Sequence, residues 1–216
     1  MAKENLQMSN LSPNAYESRY KGSGNLTREQ FYFYEMRTTA RLMCSGLTDE
    51  QITEQIIADN LFQYPTERTI KQAISACIRR LHALNDEQLV RAVAEMDSTT
   101  AKQVCLYAMM RQYQLVWDFM ITVIGEKYRL QEYDFTRRDI NVFFMRLQEQ
   151  DDTVAEWSEN TIKKISSVLS RGLIDTEYID NAKATRLNPV LICSTLENAI
   201  RSNGDLKALA AFNCLE

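Results

Sequence analysis

Apolar residues recur along most of the chain at the three- and four-residue intervals of an α-helix, with polar positions filling the gaps. Phe31, Tyr34, Met36, Ala40, Leu42 and Met43 mark one stripe. Thr27 and Gln30 before it have the spacing of a capping box, and Gly46 after it is a stop, so a first helix is expected from Thr27 to about Ser45. Thr48 with Gln51 repeats the signal ahead of Ile52, Ile56 and Ile57, and the Pro-bearing DNLFQYP ends that helix. Thr66 then caps a third, which carries Ile70, Ile74, Cys77, Ile78 and Leu81 inward. A short helix is expected over residues 86–95. The longest periodic stretch begins at Thr99 and runs through Tyr107, Met110, Leu115, Phe119, Val123 and Ile124 to about Leu130, which predicts one long central core helix.

Beyond it, Thr136 with Asp139 opens a helix through Leu147, and the acidic QEQDDT breaks it. Ser158 caps SENTIKKISSVLSRGLI, with Gly172 as its expected stop. Short alternating pieces in residues 175–189 are a candidate for the small β-ribbon of a winged helix, and residues 190–200 and 205–214 read as two short helices. The first 25 residues contain Pro13, Gly22 and Gly24 and show no period, so they read as a flexible arm.

The chain thus divides into the arm (1–25), an N-terminal helical region with a first helix-turn-helix candidate (26–96), the core helix (97–134), a second helix-turn-helix with a candidate wing (135–189) and C-terminal helices (190–216). The expected fold class is all-α, a helical bundle around one long central helix with two helix-turn-helix units.

Composition narrows the chemistry. With 45% hydrophobic and 25% charged residues and only 6 Gly and 3 Pro, little material remains for long linkers. The cysteines, at 44, 77, 105, 193 and 214, lie in apolar helical stretches without a CxxC pair, and no secretory leader is evident, so reduced, buried thiols of a cytoplasmic protein are expected. His82 has no partner at zinc-site spacing, so no metal or other cofactor is expected. The apolar run over residues 115–125 is interrupted by Asp118 and is far short of the roughly 20 residues that cross a bilayer, so no membrane span is expected. Acidic pairs such as Asp151 with Asp152 fall in caps and loops, with no matching nucleophile or phosphate-cradling Gly loop, so the chain reads as a binding protein rather than an enzyme. A net charge of −4 excludes a uniformly basic polyanion binder, and any nucleic-acid site must be a local patch.

One internal repeat supplies such a patch. Residues 66–71 (TERTIK) and 158–163 (SENTIK) share a hydroxyl cap, Glu, a polar residue, Thr, Ile and Lys. The same offset aligns Gln72 with Lys164, Ser75 with Ser167 and Arg79 with Arg171 without a gap. A recognition helix needs a small cap that leaves backbone N–H groups free for phosphate, and polar or basic side chains along one side. The candidate DNA-binding residues are therefore Arg68, Lys71, Gln72, Ser75 and Arg79 on the first helix, and Asn160, Lys163, Lys164, Ser167 and Arg171 on the second. Solvated basic residues on a surface helix are the plainer reading of the same pattern.

Four stretches carry a family resemblance over most of the chain: RYKGSGNLTREQ before the helix ending CSGLT, NLFQYPTERTIKQAISACIRRL, YAMMRQYQLVWDFMITVIGEKY and SENTIKKISSVLSRGLI. In their order and spacing the chain resembles the BrxA family, small accessory proteins of the BREX bacteriophage-defence systems. The resemblance implies an all-helical protein that binds double-stranded DNA with little sequence preference and works beside other BREX proteins, such as a methyltransferase or ATPase component. The acidic total charge favours an alternative, an adaptor that docks on those larger components with incidental DNA contact; an RNA-binding helical bundle is a third.

Overall fold

Helix starts in this chain are set by short side chains that accept backbone N–H groups of the first turn. In the computed structural model, which describes residues 18–214, Thr48, Thr66, Asp86, Asp97, Thr136, Asp151 and Ser158 all do so. Thr48–Gln51 and Thr136–Asp139 form full capping boxes. After a 3₁₀ turn, Ser23–Thr27, come α1 (Phe33–Cys44), α2 (Asp49–Ala58), α3 (Glu67–Ala83), α4 (Glu87–Glu95) and α5 (Ser98–Gln112). The middle of the chain is α6 (Gln114–Phe119), a π-helical segment (Met120–Gly125) and α7 (Glu126–Leu130). Then follow α8 (Arg137–Gln150), α9 (Asp152–Ala155), α10 (Glu159–Asp175), α11 (Ser194–Ser202) and α12 (Ala208–Ala211). The fold is all-α; among the described residues the only β pairing is an isolated antiparallel bridge between Asp134 and Arg186.

One hydrophobic core joins most of these helices. Helix α1 packs on α3 and α4, α5 backs both, α12 lies on the π segment, and α10 rests on the Ser23–Thr27 turn and on α8. A satellite core of Ile52, Ile56, Phe62, Ile70 and Ile74 holds α2 to α3. No helix among the described residues is long and apolar enough to cross a membrane.

Several expectations fail for reasons of tertiary contact. Thr27 caps no helix: its hydroxyl donates to the Gly24 carbonyl, and α1 begins six residues later, after Tyr32 in a left-handed conformation (φ 58°). The intervening strap, residues 28–32, has its carbonyls claimed from outside, because Arg80 Nη1 donates to Gln30 O (2.7 Å) and Phe31 O (3.1 Å). The central helix is not continuous. Tyr113 takes an extended conformation (φ −125°, ψ 111°) and separates α5 from α6, and the later π segment lets Gly125 meet α12, where a Cβ would stand 3.1 Å from the Ala210 Cβ.

Gly172 does not stop α10, which runs to Asp175; it is buried with the Phe31 ring 4.0 Å from where its Cβ would be. Where a ribbon was expected over residues 175–189, Asp175 ends α10 and residues 176–190 form an irregular loop, held by Asn188 N to Tyr178 O and Leu187 N to Tyr133 O. Of the arm, residues 1–17 lie outside the described residues, whereas residues 18–25 belong to the fold. There Ser18 Oγ donates to Asp151 (2.8 Å) and Tyr20 Oη to Asp118 (2.9 Å). The C-terminal helices are shorter than expected.

The cysteines divide likewise: Cys77 and Cys105 are fully buried, Cys193 and Cys214 partly, and Cys44 is exposed. Burial pushes the Cys105 thiol up to about 12 and that of Cys77 up as well. Cys44 is expected to react first with a maleimide on the native chain, while Cys77 and Cys105 react only after unfolding, as mass spectrometry of a labelling time course would reveal. Fast native labelling of either buried thiol would refute this packing.

The strap is held by a buried charge. Glu29, 5% exposed, pairs with Arg79 (2.8 Å) and Arg80 (3.8 Å) and accepts a hydrogen bond from Tyr113 Oη. Arg79 reaches solvent, but removing Glu29 strands the Arg80 charge in the interior, at a cost of about 3–5 kcal/mol. Glu29→Ala should therefore lower urea-unfolding stability by that order, and the double replacement Glu29→Met with Arg80→Met should cost less than the two single losses added. Additive losses would show that the charges are not coupled.

Candidate nucleic-acid interface

The repeated caps have the same geometry. Thr69 N donates to Thr66 Oγ1 (3.3 Å) and Thr161 N to Ser158 Oγ (3.2 Å), and in each cap the two hydroxyls also touch, at 2.8 Å and 3.0 Å. From there the helices diverge, because the strap lies against α3. Gln72 Nε2 donates to Arg28 O (2.9 Å), and Arg79 turns inward to Glu29 while its other terminal nitrogen reaches Ser75 Oγ (2.5 Å). Gln72, Ser75 and Arg79 are thus engaged within the chain. Arg68 remains exposed without an ion pair among the described residues, and Lys71 pairs with Glu67 (2.5 Å) on the surface.

On α10 the expected residues stand on an open ridge. Asn160, Lys163, Lys164, Ser167 and Arg171 are all exposed, at spacings of three, one, three and four residues. Lys164 has no ion-pair partner among the described residues. Lys163 lies 3.5 Å from Glu159, and Arg171 lies 3.0 Å from Asp175. Both pairs are i,i+4 contacts in water, worth little and readily exchanged for another anion.

The strap joins the two helices into one surface. A groove of about 510 Å³ runs between the α10 ridge and residues 26–31. Its floor is Leu26, Phe31 and Val168; its rims are Thr27, Arg28 and Gln30 on the strap side and Lys164, Ser167 and Arg171 on the helix side. Three cations and no carboxylate line it, in a chain whose net charge is −4. Arg28 is exposed, and its guanidinium has no ion-pair partner among the described residues. Sequence reasoning missed Arg28 because it placed that residue inside a helix beginning at Thr27. An apolar floor between cationic rims matches the sugar and phosphate of a nucleic-acid backbone, which offers apolar ribose carbons beside anionic oxygens.

A second, larger cleft of about 620 Å³ differs in kind. Arg19, Lys127, Arg138 and Arg146 share its lining with Asp118, Glu126, Glu132 and Asp139. Two of those cations are already paired, Arg19 with Asp118 (3.0 Å) and Lys127 with Asp139 (2.9 Å). Balanced charge gives it no preference for a polyanion.

Charge reversal is expected to act unequally on the repeat. Arg79→Glu should destabilise the fold by placing a carboxylate against buried Glu29, whereas Arg171→Glu should leave the melting temperature within a few degrees of the parent; thermal unfolding of the two variants separates these outcomes. Equal melting losses would contradict the difference between the two helices.

Comparison with known proteins agrees with the family resemblance. A protein-family model described as BrxA matches residues 19–204. The chain is 33% identical over 175 residues to a BREX protein BrxA of Bacillus cereus (strain H3081.97), covering 80% of this chain and 86% of that protein. It is 26% identical over 192 residues to a BREX protein BrxA of Paramagnetospirillum magneticum, covering 88% and 94%. A crystal structure of an uncharacterized protein from Magnetospirillum magneticum shares the fold, with a TM-score of 0.78, 22% identity and coverage of 92% of this chain and all of that one. The chain belongs to the BrxA family, whose curated relatives are BREX proteins.

Proposed function

We propose that this BrxA family member serves BREX phage defence by binding double-stranded DNA through the sugar-phosphate backbone, with little sequence preference. The observation that carries the reading is the acid-free groove rimmed by Arg28, Lys164 and Arg171. Flexible, solvated cations follow phosphates at any sequence, whereas base discrimination needs planar groups held rigidly against base edges. Among the candidates, Arg68, Gln72 and Asn160 are the ones whose planar groups suit base edges; Gln72 is committed to the strap, which leaves Arg68 and Asn160 near the two helix starts. The helix-turn-helix reading now rests mainly on α8, α9 and α10. Here α10 is the helix presented to DNA, with α3 as its partly covered counterpart.

A second reading draws on the mixed-charge cleft. Its alternation of Arg and acidic side chains suits a protein surface of complementary alternation, such as a larger BREX component, better than it suits DNA. In that reading the chain is an adaptor and DNA contact is incidental. The two readings predict different sensitivities: reversing Lys164 weakens the first function and leaves the second intact.

Neutralising about three phosphates should give a log–log salt slope near −2.7 for duplex binding. Lys163→Glu with Lys164→Glu should weaken binding to unrelated duplexes by the same factor and flatten that slope by about one to two units. Fluorescence anisotropy across a salt series measures both quantities. Binding indifferent to salt and to these reversals would refute the backbone reading and leave the adaptor.

A further inference from the structure

Helix α10 has a hollow on each flank. The groove toward the strap lies on one side; on the other, a hollow of about 270 Å³ opens between α8 and α10. Arg137, Ser166, Ser170 and Arg171 supply its polar lining, Phe135 and Ile140 lie at its α8 side, and Ile179 and Ala182 of the 176–190 loop wall it. Again no carboxylate lines it. Arg171 and Ser167 border both hollows, so the ridge of α10 is the partition between them.

Two features of the second hollow point to an anion. Arg137, in the first turn of α8, is exposed and has no ion-pair partner among the described residues. Ser166 is 5% exposed and lines the hollow, yet its hydroxyl makes no hydrogen bond within the described residues. A hydroxyl on the packed side of a helix ordinarily bonds to the carbonyl four residues back, as Thr39, fully buried in α1, does to Glu35 O (2.8 Å). The Ser166 hydroxyl lines the hollow with no partner among the described residues, so a group that enters there can bond to it. Ser170, one turn further on and half-buried, likewise has no side-chain bond among the described residues.

From these observations we propose that the hollow between α8 and α10 is a second phosphate site, taking the backbone of the DNA strand opposite the one held in the strap groove. The proposal rests on the DNA-binding reading above. Its physical basis is width. An α-helix with side chains is about 10–12 Å across and the major groove of B-DNA is about 12 Å wide, so a helix lying in that groove has a strand on each side. Donors on both flanks of one helix can meet the two strands of a duplex together, and a single strand can occupy only one flank at a time. Arg137 and the hydroxyls of Ser166 and Ser170 become contacts to the second strand. The 176–190 loop, where a wing was expected, acts as the outer wall of that site.

The test compares a short fluorescent duplex with one of its strands alone, in anisotropy titrations over several salt concentrations. Arg137→Glu should weaken duplex binding about tenfold and reduce its salt slope by about one, while single-strand binding stays at the parental value. Lys164→Glu should weaken both substrates. The milder Arg137→Gln and Ser166→Ala, with melting curves for every variant, guard against misreading a folding defect. Parental duplex affinity in Arg137→Glu, beside a weakened Lys164→Glu, would overturn the second site and leave the DNA-binding reading standing. Equal weakening of duplex and single strand by Arg137→Glu would also overturn it. Parental affinity in both reversals would remove the underlying reading with it.

Discussion

The guanidinium of Arg80 is fully buried, between the rings of Tyr32 and Tyr113, each centroid 5.4 Å away. Taking such a charge out of water costs several kcal/mol, and the chain offsets that with two aromatic faces, two strap carbonyls and the carboxylate of Glu29. Compensation is incomplete, since Nε and Nη2 have no hydrogen-bond partner among the described residues. Every group that answers this charge must stay where it is. The strap is thereby fixed to α3, Tyr32 is held in its left-handed conformation, and the helix that would join α5 to α6 is interrupted where Tyr113 turns toward Glu29.

The shape of the candidate interface follows from that clamp. With Glu29 drawn inward, its neighbour Arg28 remains on the surface, facing α10 across the groove that Lys164 and Arg171 rim. Arg79 is consumed by the clamp and Arg171 is not, so two helices with the same cap and register present different faces. The result is local positive charge on a molecule of net negative charge. Such an arrangement attracts a polyanion at short range while the body of the protein repels it, which makes orientation as well as affinity a property of this face.

What the sequence made legible is what is decided locally. The caps at Thr48, Thr66, Thr136 and Ser158 depend on residues within one turn of each other, and all are present. Thr27 and Gln30 have the same spacing and form no helix, because Arg80, fifty residues away, claims the carbonyls of the strap. Tyr113 and Gly172 misled in opposite senses: one breaks an unbroken pattern, the other sits inside a helix it was expected to end. In both cases the deciding partner is distant in sequence.

The candidate site divides the same way. Periodicity correctly set Asn160, Lys163, Lys164, Ser167 and Arg171 along one exposed side of α10. It could not reveal that Gln72 and Arg79 would be occupied, nor that Arg28 and Arg137 would face the same helix from other elements.

On the proposed function, DNA lies against the face built around α10 and the strap. Amine-reactive footprinting of the unmodified sequence, with and without a duplex, reads this most directly, because its lysines are spread over several elements. Duplex is expected to shield Lys163 and Lys164 and to leave Lys207, just before α12, as reactive as in the free protein. Shielding of Lys127 in the mixed-charge cleft, with Lys163 and Lys164 unchanged, would contradict it.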